Sequence, residues 1–475
     1  MPDAVVVGAG PNGLAAAITL ARAGLSVTVF EAAETAGGGA RSAELTLPGY
    51  IHDTCSTVMA MGRLSPFLKT IDWAERGVEF IRPDVPVGHA LAPDHGVVLF
   101  RSLEETAEGL GRDGAAWRRL MGPLVRDADR LIPWLMGPTV RVTRHPIAQA
   151  RFGMPALLPA TTLGRAWFRE APARALLAGL AGHSMLSIRR PATAAFGMVL
   201  GMMAHLDGWP VVRGGAQRLA DGLVAELVAL GGTVETGHRI ASLEELPPAR
   251  AVLLDVAPRH AAEIAGDRLA GRYRRALEGF RYGAGVFKLD WALSGPIPWK
   301  DPSLARAGTV HLGGSSDEVA ASEAAVERGR VTDRPFTLVV QASVCDPSRA
   351  PGSGQTAWAY CHVPNDSSID MTDRIEAQIE RFAPGFREVV LARATRSPAQ
   401  MEAYDANYIG GDINTGKQDL RQQFARPVLR RDPYAMPAKG LYLCSSATPP
   451  GGGVHGMCGH LAARSALRRE FGIRI

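Results

Sequence analysis

The chain has 475 residues, of which 46% are hydrophobic, and a formal net charge of +5. This length predicts two or three domains with a large core, and the lack of any block of like charge argues against a nucleic-acid partner. No apolar run approaches transmembrane length, and Met1–Asp3 leads directly into a predicted strand, so we expect neither a membrane span nor a signal peptide. Five scattered cysteines without a close pair favour a reducing compartment, so we expect a cytoplasmic protein.

The first 31 residues predict a strand, a glycine-rich turn, a helix and a second strand. An apolar run over residues 4–7 is followed by Gly8, Gly10 and Gly13 in the G-x-G-x-x-G spacing of a dinucleotide-binding unit. Gly8 allows the tight turn, Gly10 lets a pyrophosphate approach the backbone, and Gly13 lets the helix pack closely on the strand. The helix N-terminus offers free N–H groups to the phosphates. Glu31 ends the second strand, where an acid accepts hydrogen bonds from a ribose.

A second glycine cluster, Gly37–Gly39, precedes Arg41 and Ser42. A domain that binds NAD alone does not need this cluster, whereas a longer cofactor needs backbone close to its pyrophosphate and ribityl chain. Arg41 supplies a charge suited to a phosphate. The alternative is a surface turn with a solvated arginine.

Residues 65–204 predict a helical region. The apolar positions indicate a helix over 104–136, broken at Gly122–Pro123. Residues 141–190 carry eight arginines and a single acid, Glu170, interleaved with large apolar side chains. Such a pattern is found on membrane-facing surfaces and at the mouths of apolar channels. The interpretation that we favour is a set of core helices with solvated arginines.

The chain then returns to α/β character. An amphipathic helix over 218–230 ends at Gly231–Gly232, and short strands are predicted at 233–236 and 251–256. This return after a long excursion predicts a discontinuous nucleotide domain.

A third region begins near residue 283 and alternates between polar and apolar residues. Lys288 and Asp290 are predicted on one face of a strand, and three apolar residues between 287 and 291 on the other. A mostly antiparallel sheet is predicted from strands at 286–291, 309–312, 336–341 and 357–363. The polar, glycine-containing loop 407–414 is expected to face the functional site.

The C-terminal part repeats the opening pattern. A strand at 440–444, a glycine-rich loop at 451–456 and a helix over 457–471 form a second strand–loop–helix unit. The N-terminus of such a helix stabilises the negative charge of a reduced flavin. An NAD-dependent dehydrogenase has no role for this second loop.

Three segments, 8–31, 37–42 and 442–459, resemble the FAD-dependent superfamily of phytoene desaturases, carotenoid isomerases and flavin amine oxidases. The resemblance is strongest to the phytoene-dehydrogenase-like branch, which includes the pyridine nucleotide-disulphide oxidoreductase domain-containing proteins. It covers nearly the whole chain, with further support from residues 282–298, 349–351, 382–386 and 407–412.

The resemblance implies an α/β fold with two domains. The first is a discontinuous, Rossmann-like FAD-binding domain made of residues 1–64, 205–282 and 435–475. The second is a mixed α+β substrate domain with a mostly antiparallel sheet, made of residues 65–204 and 283–434. The implied cofactor is non-covalent FAD, and the implied cofactor-binding residues are Gly8, Gly10, Pro11, Asn12, Gly13, Glu31, Gly38, Arg41, Ser42, Ile240, Gly452, Gly453 and Val454.

Lys288 and His455 are the candidate catalytic residues, and no metal site is predicted. Lys288 matches a lysine that amine oxidases keep near flavin N5, and the alternative is a solvated lysine paired with Asp290. His455 is expected beside the flavin as an acid, base or hydrogen-bond donor, and the alternative is a packed or solvated side chain. Amine oxidases carry an aromatic residue where this chain has Gly453, which argues against amine oxidation.

We therefore expect an FAD-dependent oxidoreductase of the desaturase, dehydrogenase or oxidase type. It removes a hydride from a C–H bond of a largely apolar organic substrate and passes the electrons to O2 or a quinone. The alternatives are a redox-neutral polyene isomerase, an amine oxidase-like enzyme and an interaction protein with structural FAD. The basic apolar region adds the expectation of a peripheral membrane contact, and the oligomeric state stays open.

Overall fold

Two β-sheets, one of five strands and one of seven, form the framework of the chain. The computed structural model describes residues 1–138, 144–269 and 271–474. The strands are β1 Ala4–Val7, β2 Val27–Phe30, β3 Ser42–Glu44, β4 Ile51–Asp53, β5 Phe80–Ile81, β6 Val85–Ala92, β7 His95–Leu99, β8 Val211–Val212, β9 Thr233–Glu235, β10 Ala251–Leu254, β11 Gly285–Leu293, β12 Ala307–Leu312, β13 Thr337–Val340, β14 Gln355–Val363, β15 Val390–Arg396 and β16 Leu441–Leu443.

Helices pack around both sheets. In the described residues they are α1 Pro11–Arg22, α2 Leu103–Gly109, α3 Gly114–Arg126, α4 Ala128–Leu135, α5 Pro146–Ala156, α6 Ala160–Trp167, α7 Ala171–Gly182, α8 Thr193–Asp207, α9 Gln217–Ala229, α10 Pro258–Ala265, α11 Gly271–Glu278, α12 Pro302–Ala305, α13 Ser316–Glu327, α14 Thr372–Phe382, α15 Phe386–Val389, α16 Pro398–Tyr404, α17 Leu420–Phe424 and α18 Met457–Ala466.

The five-stranded sheet is parallel, in the order β16-β10-β1-β2-β9. Its strands come from all three chain pieces that the sequence assigns to the nucleotide domain, and the central β1 is wholly buried. The first and last predicted helices, α1 and α18, pack against each other beside this sheet. Their contact requires a glycine, because a Cβ on Gly459 would lie 1.7 Å from the carbonyl oxygen of Asn12.

The seven-stranded sheet has the order β15-β11-β14-β13-β12-β6-β7 and is antiparallel except between β6 and β12. The predicted, mostly antiparallel sheet is therefore confirmed. Phe287, Leu289 and Trp291 enter the apolar core on one face. Lys288 and Asp290 lie on the opposite face, in register with Tyr360 and Trp358.

The prediction that residues 65–204 are helical is wrong for β6 and β7, which form a hairpin at the edge of the seven-stranded sheet. Pro86 and Gly88 interrupt the side-chain alternation that would have indicated a strand. Pairing of β6 with β12 on one side and β7 on the other stabilises a strand that the local pattern does not indicate.

The predicted helix break at Gly122–Pro123 is also wrong. α3 continues through Pro123 to Arg126, and α4 begins after Asp127. A proline removes one backbone hydrogen bond, which α3 tolerates because Leu120, Met121 and Leu124 are buried along one side.

The arginine-rich region contains core helices, as the favoured interpretation predicts, although residues 141–143 of it lie outside the described residues. α7 is buried along most of its length. Most of the described arginines of this region are exposed, and some form ion pairs, such as Arg165 with Asp317 at 2.9 Å and Arg190 with Glu327 at 2.7 Å. Across the described part of the chain, no helix combines the length and the apolar character needed to cross a membrane.

Candidate active site

A cavity of about 780 Å³ is lined by residues of both sheets. Its volume lies within the range of small-molecule and cofactor sites, about 300–1,000 Å³. One part of the wall is formed where the parallel strands β1, β2 and β10 end, which is where open α/β sheets bind their ligands. Another part is formed by β12, β13 and β14.

The first glycine loop forms one stretch of this wall through Gly8, Gly10, Pro11 and Asn12. Gly8 has a φ of +100°, and a Cβ there would lie 2.8 Å from the carbonyl oxygen of Asp255. The helix that follows begins at Pro11, so its N-terminus lies at the wall. Asn12 Oδ1 is buried and has no hydrogen-bond partner among the described residues.

Gly13, Ser42 and Gly452 are predicted site residues that do not line the cavity. Gly13 lies behind the wall, where a Cβ would be 1.9 Å from the Gly8 carbonyl oxygen. Ser42 donates a hydrogen bond to Asp53 Oδ1 at 2.6 Å. Gly452 packs against Asn414. Each of the three is adjacent in sequence or in space to residues that do line the cavity.

Glu31 lies at the wall with both carboxylate oxygens engaged by backbone. Oε2 accepts a hydrogen bond from Ala9 N at 2.7 Å, and Oε1 accepts one from Ala33 N at 2.8 Å. These bonds fix the carboxylate in one orientation, and each oxygen keeps a lone pair for a ligand hydroxyl. Ile240 lines the same cavity, as predicted for a residue near the adenine.

Asp255 is a wall residue that the sequence analysis did not single out. It follows β10, and its Oδ2 accepts a hydrogen bond from Gly13 N at 2.7 Å. Burial raises the pKa of this carboxyl to about 8. An acid at the end of a strand was the signal that identified Glu31, and the same signal would have found Asp255.

The second glycine cluster brings Gly38 and Arg41 to the wall. Arg41 donates to the carbonyl oxygens of Gly38 at 2.9 Å and Tyr404 at 3.2 Å, and its guanidinium lies 4.2 Å from the Tyr404 ring centre. It forms no ion pair with any described carboxylate, so its charge is available to an anionic ligand. Tyr404 lies just before the loop 407–414, and Asn407, Tyr408, Ile413 and Asn414 confirm that this loop faces the cavity.

The last glycine loop reaches the wall through Gly453 and Val454, but His455 does not line the cavity. The Nδ1 of His455 accepts a hydrogen bond from Met457 N at 3.0 Å, and its Nε2 donates to the Gly451 carbonyl at 3.1 Å. Burial lowers the pKa of this imidazole to about 4. Both ring nitrogens are therefore engaged in holding the loop and the start of α18.

Lys288 likewise lies behind the wall. Its Nζ is 2.5 Å from Asp290 Oδ1 and 5.0 Å from the centre of the Trp358 ring, which does line the cavity. Burial lowers the pKa of Lys288, and the Asp290 carboxylate opposes this shift. The predicted pairing with Asp290 is observed, but in the interior rather than in solvent.

The part of the wall beyond the glycine loops is mainly apolar. Thr309, Leu338, Val340, Trp358 and Tyr360 project from one face of the seven-stranded sheet. Three further residues complete this part of the wall: His183 after α7, Leu200 in α8 and Trp209 after α8. None of these eight wall residues is acidic.

Residues 6–71 match the family of NAD(P)-binding Rossmann-like domains. The chain is 26% identical to the rat pyridine nucleotide-disulfide oxidoreductase domain-containing protein 2, over 98% of this chain and 93% of that protein. It is 24% identical to a component of the limonene dehydrogenase of Castellaniella defragrans, over 100% of this chain and 95% of that protein. The solved structure of a redesigned putrescine oxidase has a TM-score of 0.62, 17% identity and coverage of 98% of both chains.

The parallel sheet, its glycine loops and these matches define an oxidoreductase built on a dinucleotide-binding domain. In these matches the chain is similar to the FAD-dependent superfamily that includes the phytoene-type desaturases and the flavin amine oxidases. The resemblance carried by the three glycine-containing segments is thereby confirmed.

Proposed function

We propose that this chain binds FAD non-covalently in the cavity and removes a hydride from a C–H bond of a small, largely apolar substrate. The observation that carries the proposal is that the chemical character of the wall changes along one continuous cavity. Glycine backbone and charged groups line one part of it, and apolar side chains line the other.

The described residues fit FAD. Gly8 and Gly10 line the cavity, where a backbone without side chains suits a pyrophosphate. Two buried polar atoms of wall residues, Asn12 Oδ1 and Ser445 Oγ, have no partner in the described chain. In this proposal Glu31 binds the ribose hydroxyls, and Arg41 with the α1 N-terminus holds the phosphates. Gly453 and Val454 offer backbone to the flavin.

When bound, FAD supplies the hydride acceptor. The chain's own residues orient the substrate and exclude water, since Leu338, Val340 and Trp358 present apolar surface to it. The acceptor of the electrons in this proposal is O2 or a quinone, because the cavity offers one dinucleotide cradle. The apolar wall carries no carboxylate to pair with an ammonium group, which favours a neutral substrate over an amine.

The experiment that tests this function is anaerobic reduction of the FAD-loaded chain. A panel of terpenoid hydrocarbons and alcohols is expected to include a compound that bleaches the oxidised flavin absorbance, with a dehydrogenated product formed in equal amount. Bleaching by amines alone would contradict the neutral substrate. A flavin that no member of the panel reduces would contradict the oxidoreductase mechanism.

We also propose a peripheral membrane contact at α5. This helix exposes Ile147 and Met154, which are 69% and 75% accessible, and Arg151 lies between them. Apolar residues beside an arginine favour an anionic bilayer surface. Cosedimentation with anionic vesicles is expected, and Ile147→Ser with Met154→Ser is expected to abolish it. Equal sedimentation of the double variant would contradict the contact.

A further inference from the structure

Two polar side chains, His183 and Thr309, stand in the apolar part of the cavity wall. Thr309 is 2% exposed, and its Oγ1 has no hydrogen-bond partner among the described residues. Burying a hydroxyl without a partner is destabilising. An unpartnered hydroxyl on a residue that lines a cavity points to a ligand atom as its partner.

His183 belongs to the same stretch of wall. Its Nε2 lies 3.0 Å from His311 Nε2, and its ring packs edge-on against His311 and Trp209. His311 follows Thr309 by two residues on β12, so the two side chains project from the same face of the strand. His183 is therefore held above the strand that presents the Thr309 hydroxyl.

The hydrogen bond between the two histidines sets the tautomer of His183. His311 Nδ1 is buried without a partner in the described chain. A buried N–H without an acceptor is rarer than a buried lone pair without a donor, so we assign the His311 proton to Nε2, which donates to His183 Nε2. His183 then carries its own proton on Nδ1, the nitrogen left for the cavity. Burial lowers the pKa of His183 to about 3, which keeps the ring neutral.

We propose that His183 and Thr309 form a subsite for one neutral oxygen atom of the substrate, a carbonyl or hydroxyl oxygen. That oxygen accepts hydrogen bonds from His183 Nδ1–H and Thr309 Oγ1–H. Leu200, Trp209 and Val340 contact the apolar remainder. This inference rests on the proposed function, because it narrows the substrate to an apolar molecule with a neutral oxygen group. His311 acts as a positioning residue, since it bonds to His183 and does not itself line the cavity.

The test uses acetophenone and α-methylstyrene, which differ only in that a C=CH2 group replaces the C=O group. Calorimetric titration of the full chain with FAD added is expected to show about tenfold tighter binding of the ketone, the effect of one or two net hydrogen bonds. Thr309→Val and His183→Leu are each expected to reduce this preference to about threefold or less, with α-methylstyrene affinity unchanged.

Thr332→Val is the matched control, because Thr332 Oγ1 is also unpartnered in the described chain but does not line the cavity. It is expected to keep the full preference for the ketone. Equal affinities of wild type for the two probes would overturn the subsite. An unchanged preference in Thr309→Val, which preserves the side-chain shape, would do so as well.

Flavin absorbance of the same samples separates this inference from the proposed function. A chain that prefers the ketone but takes up no FAD supports the subsite and contradicts the proposed function. If the chain takes up FAD but shows no preference for the ketone, the subsite is refuted and the proposed function is not.

Discussion

Glu31 and Asp255 are two acids at the ends of strands that flank β1, and their surroundings differ. Glu31 is held by two backbone N–H groups, which donate to its two side-chain oxygens. Burial raises the pKa of Asp255 to about 8, so this carboxyl is largely neutral at pH 7. A neutral acid beside the glycine loop avoids repulsion of a pyrophosphate. The position of an acid can be predicted from sequence, whereas its charge depends on packing.

Glu31→Ala is expected to raise the dissociation constant for FAD about tenfold to a hundredfold, the effect of losing hydrogen bonds to a charged group. The substitution removes the carboxylate that is proposed to accept hydrogen bonds from the ribose. It also removes the oxygen atoms that accept hydrogen bonds from Ala9 N and Ala33 N. Quenching of flavin fluorescence measures this constant. The control is Glu34→Ala, an exposed neighbour. A Glu31→Ala constant within about twofold of wild type would contradict the assigned role.

Asp255→Asn tests the raised pKa through the pH dependence of stability. Asp255 is protonated in the folded chain but ionised in the unfolded chain between the ordinary value of 3.8 and about 8. Its contribution to stability is complete below pH 3.8 and is lost as the pH rises toward 8. The free energy of unfolding of FAD-free wild type should therefore fall over that interval relative to Asp255→Asn. Denaturant unfolding at several pH values measures it, and parallel curves would refute the shift.

Lys288 and His455 show the limit of prediction at the scale of single residues. Both occupy the strand and the loop that the sequence indicated, but neither lines the cavity. Lys288 is engaged by Asp290, and His455 by the backbone of its own loop. Which way a buried polar side chain faces depends on partners that a single sequence does not identify.

At the scale of elements, Gly459 allows the close approach of α18 to α1. The strand–turn–helix units at both ends of the chain were predictable, because their glycines and apolar runs are local. The contact between α1 and α18 was not, because Gly459 and Asn12 are far apart in sequence. The pairing of β6 with β12 was not predictable for the same reason, and β7 then pairs with β6.

Gly459→Ala is expected to lower the free energy of unfolding by about 1–3 kcal/mol, because the added methyl group overlaps the Asn12 carbonyl. FAD affinity should fall as well, since the N-terminus of α1 is proposed to bind the phosphates. Gly153→Ala in α5 is the matched helical control, with no atom within 4 Å of the new Cβ. It should raise stability by up to about 1 kcal/mol. Equal stability of the two variants would contradict the packing argument.

At the scale of the whole molecule, a buried arginine links distant parts of the chain. Arg349 is 1% exposed and forms ion pairs with Asp53 at 3.0 Å and Asp346 at 2.7 Å. It also donates to the Val212 carbonyl at 2.9 Å. The three separate parts of the chain that supply the five-stranded sheet were predictable from their strands. Arg349, which joins Asp53 and Val212 to Asp346, stood out in the sequence only as part of residues 349–351, which support the family resemblance.

Arg349→Met is expected to lower the free energy of unfolding by about 3–5 kcal/mol, because it leaves two buried carboxylates without their cation. Arg374→Met removes an exposed pair with Asp333, so its effect should stay within about 1 kcal/mol. Thermal unfolding of both variants and of wild type measures these changes in the free energy of unfolding. A small effect at Arg349 would show that this cluster does not hold the parts of the chain together.

Stoichiometric FAD binding tests the central claim most directly. Purified chain, incubated with FAD and freed of excess, is expected to retain about one FAD per chain with the absorbance of an oxidised flavin. Denaturation is expected to release all of it, because the proposed binding of FAD involves no covalent bond. A folded chain that stays colourless and does not quench flavin fluorescence at micromolar concentration would contradict the claim.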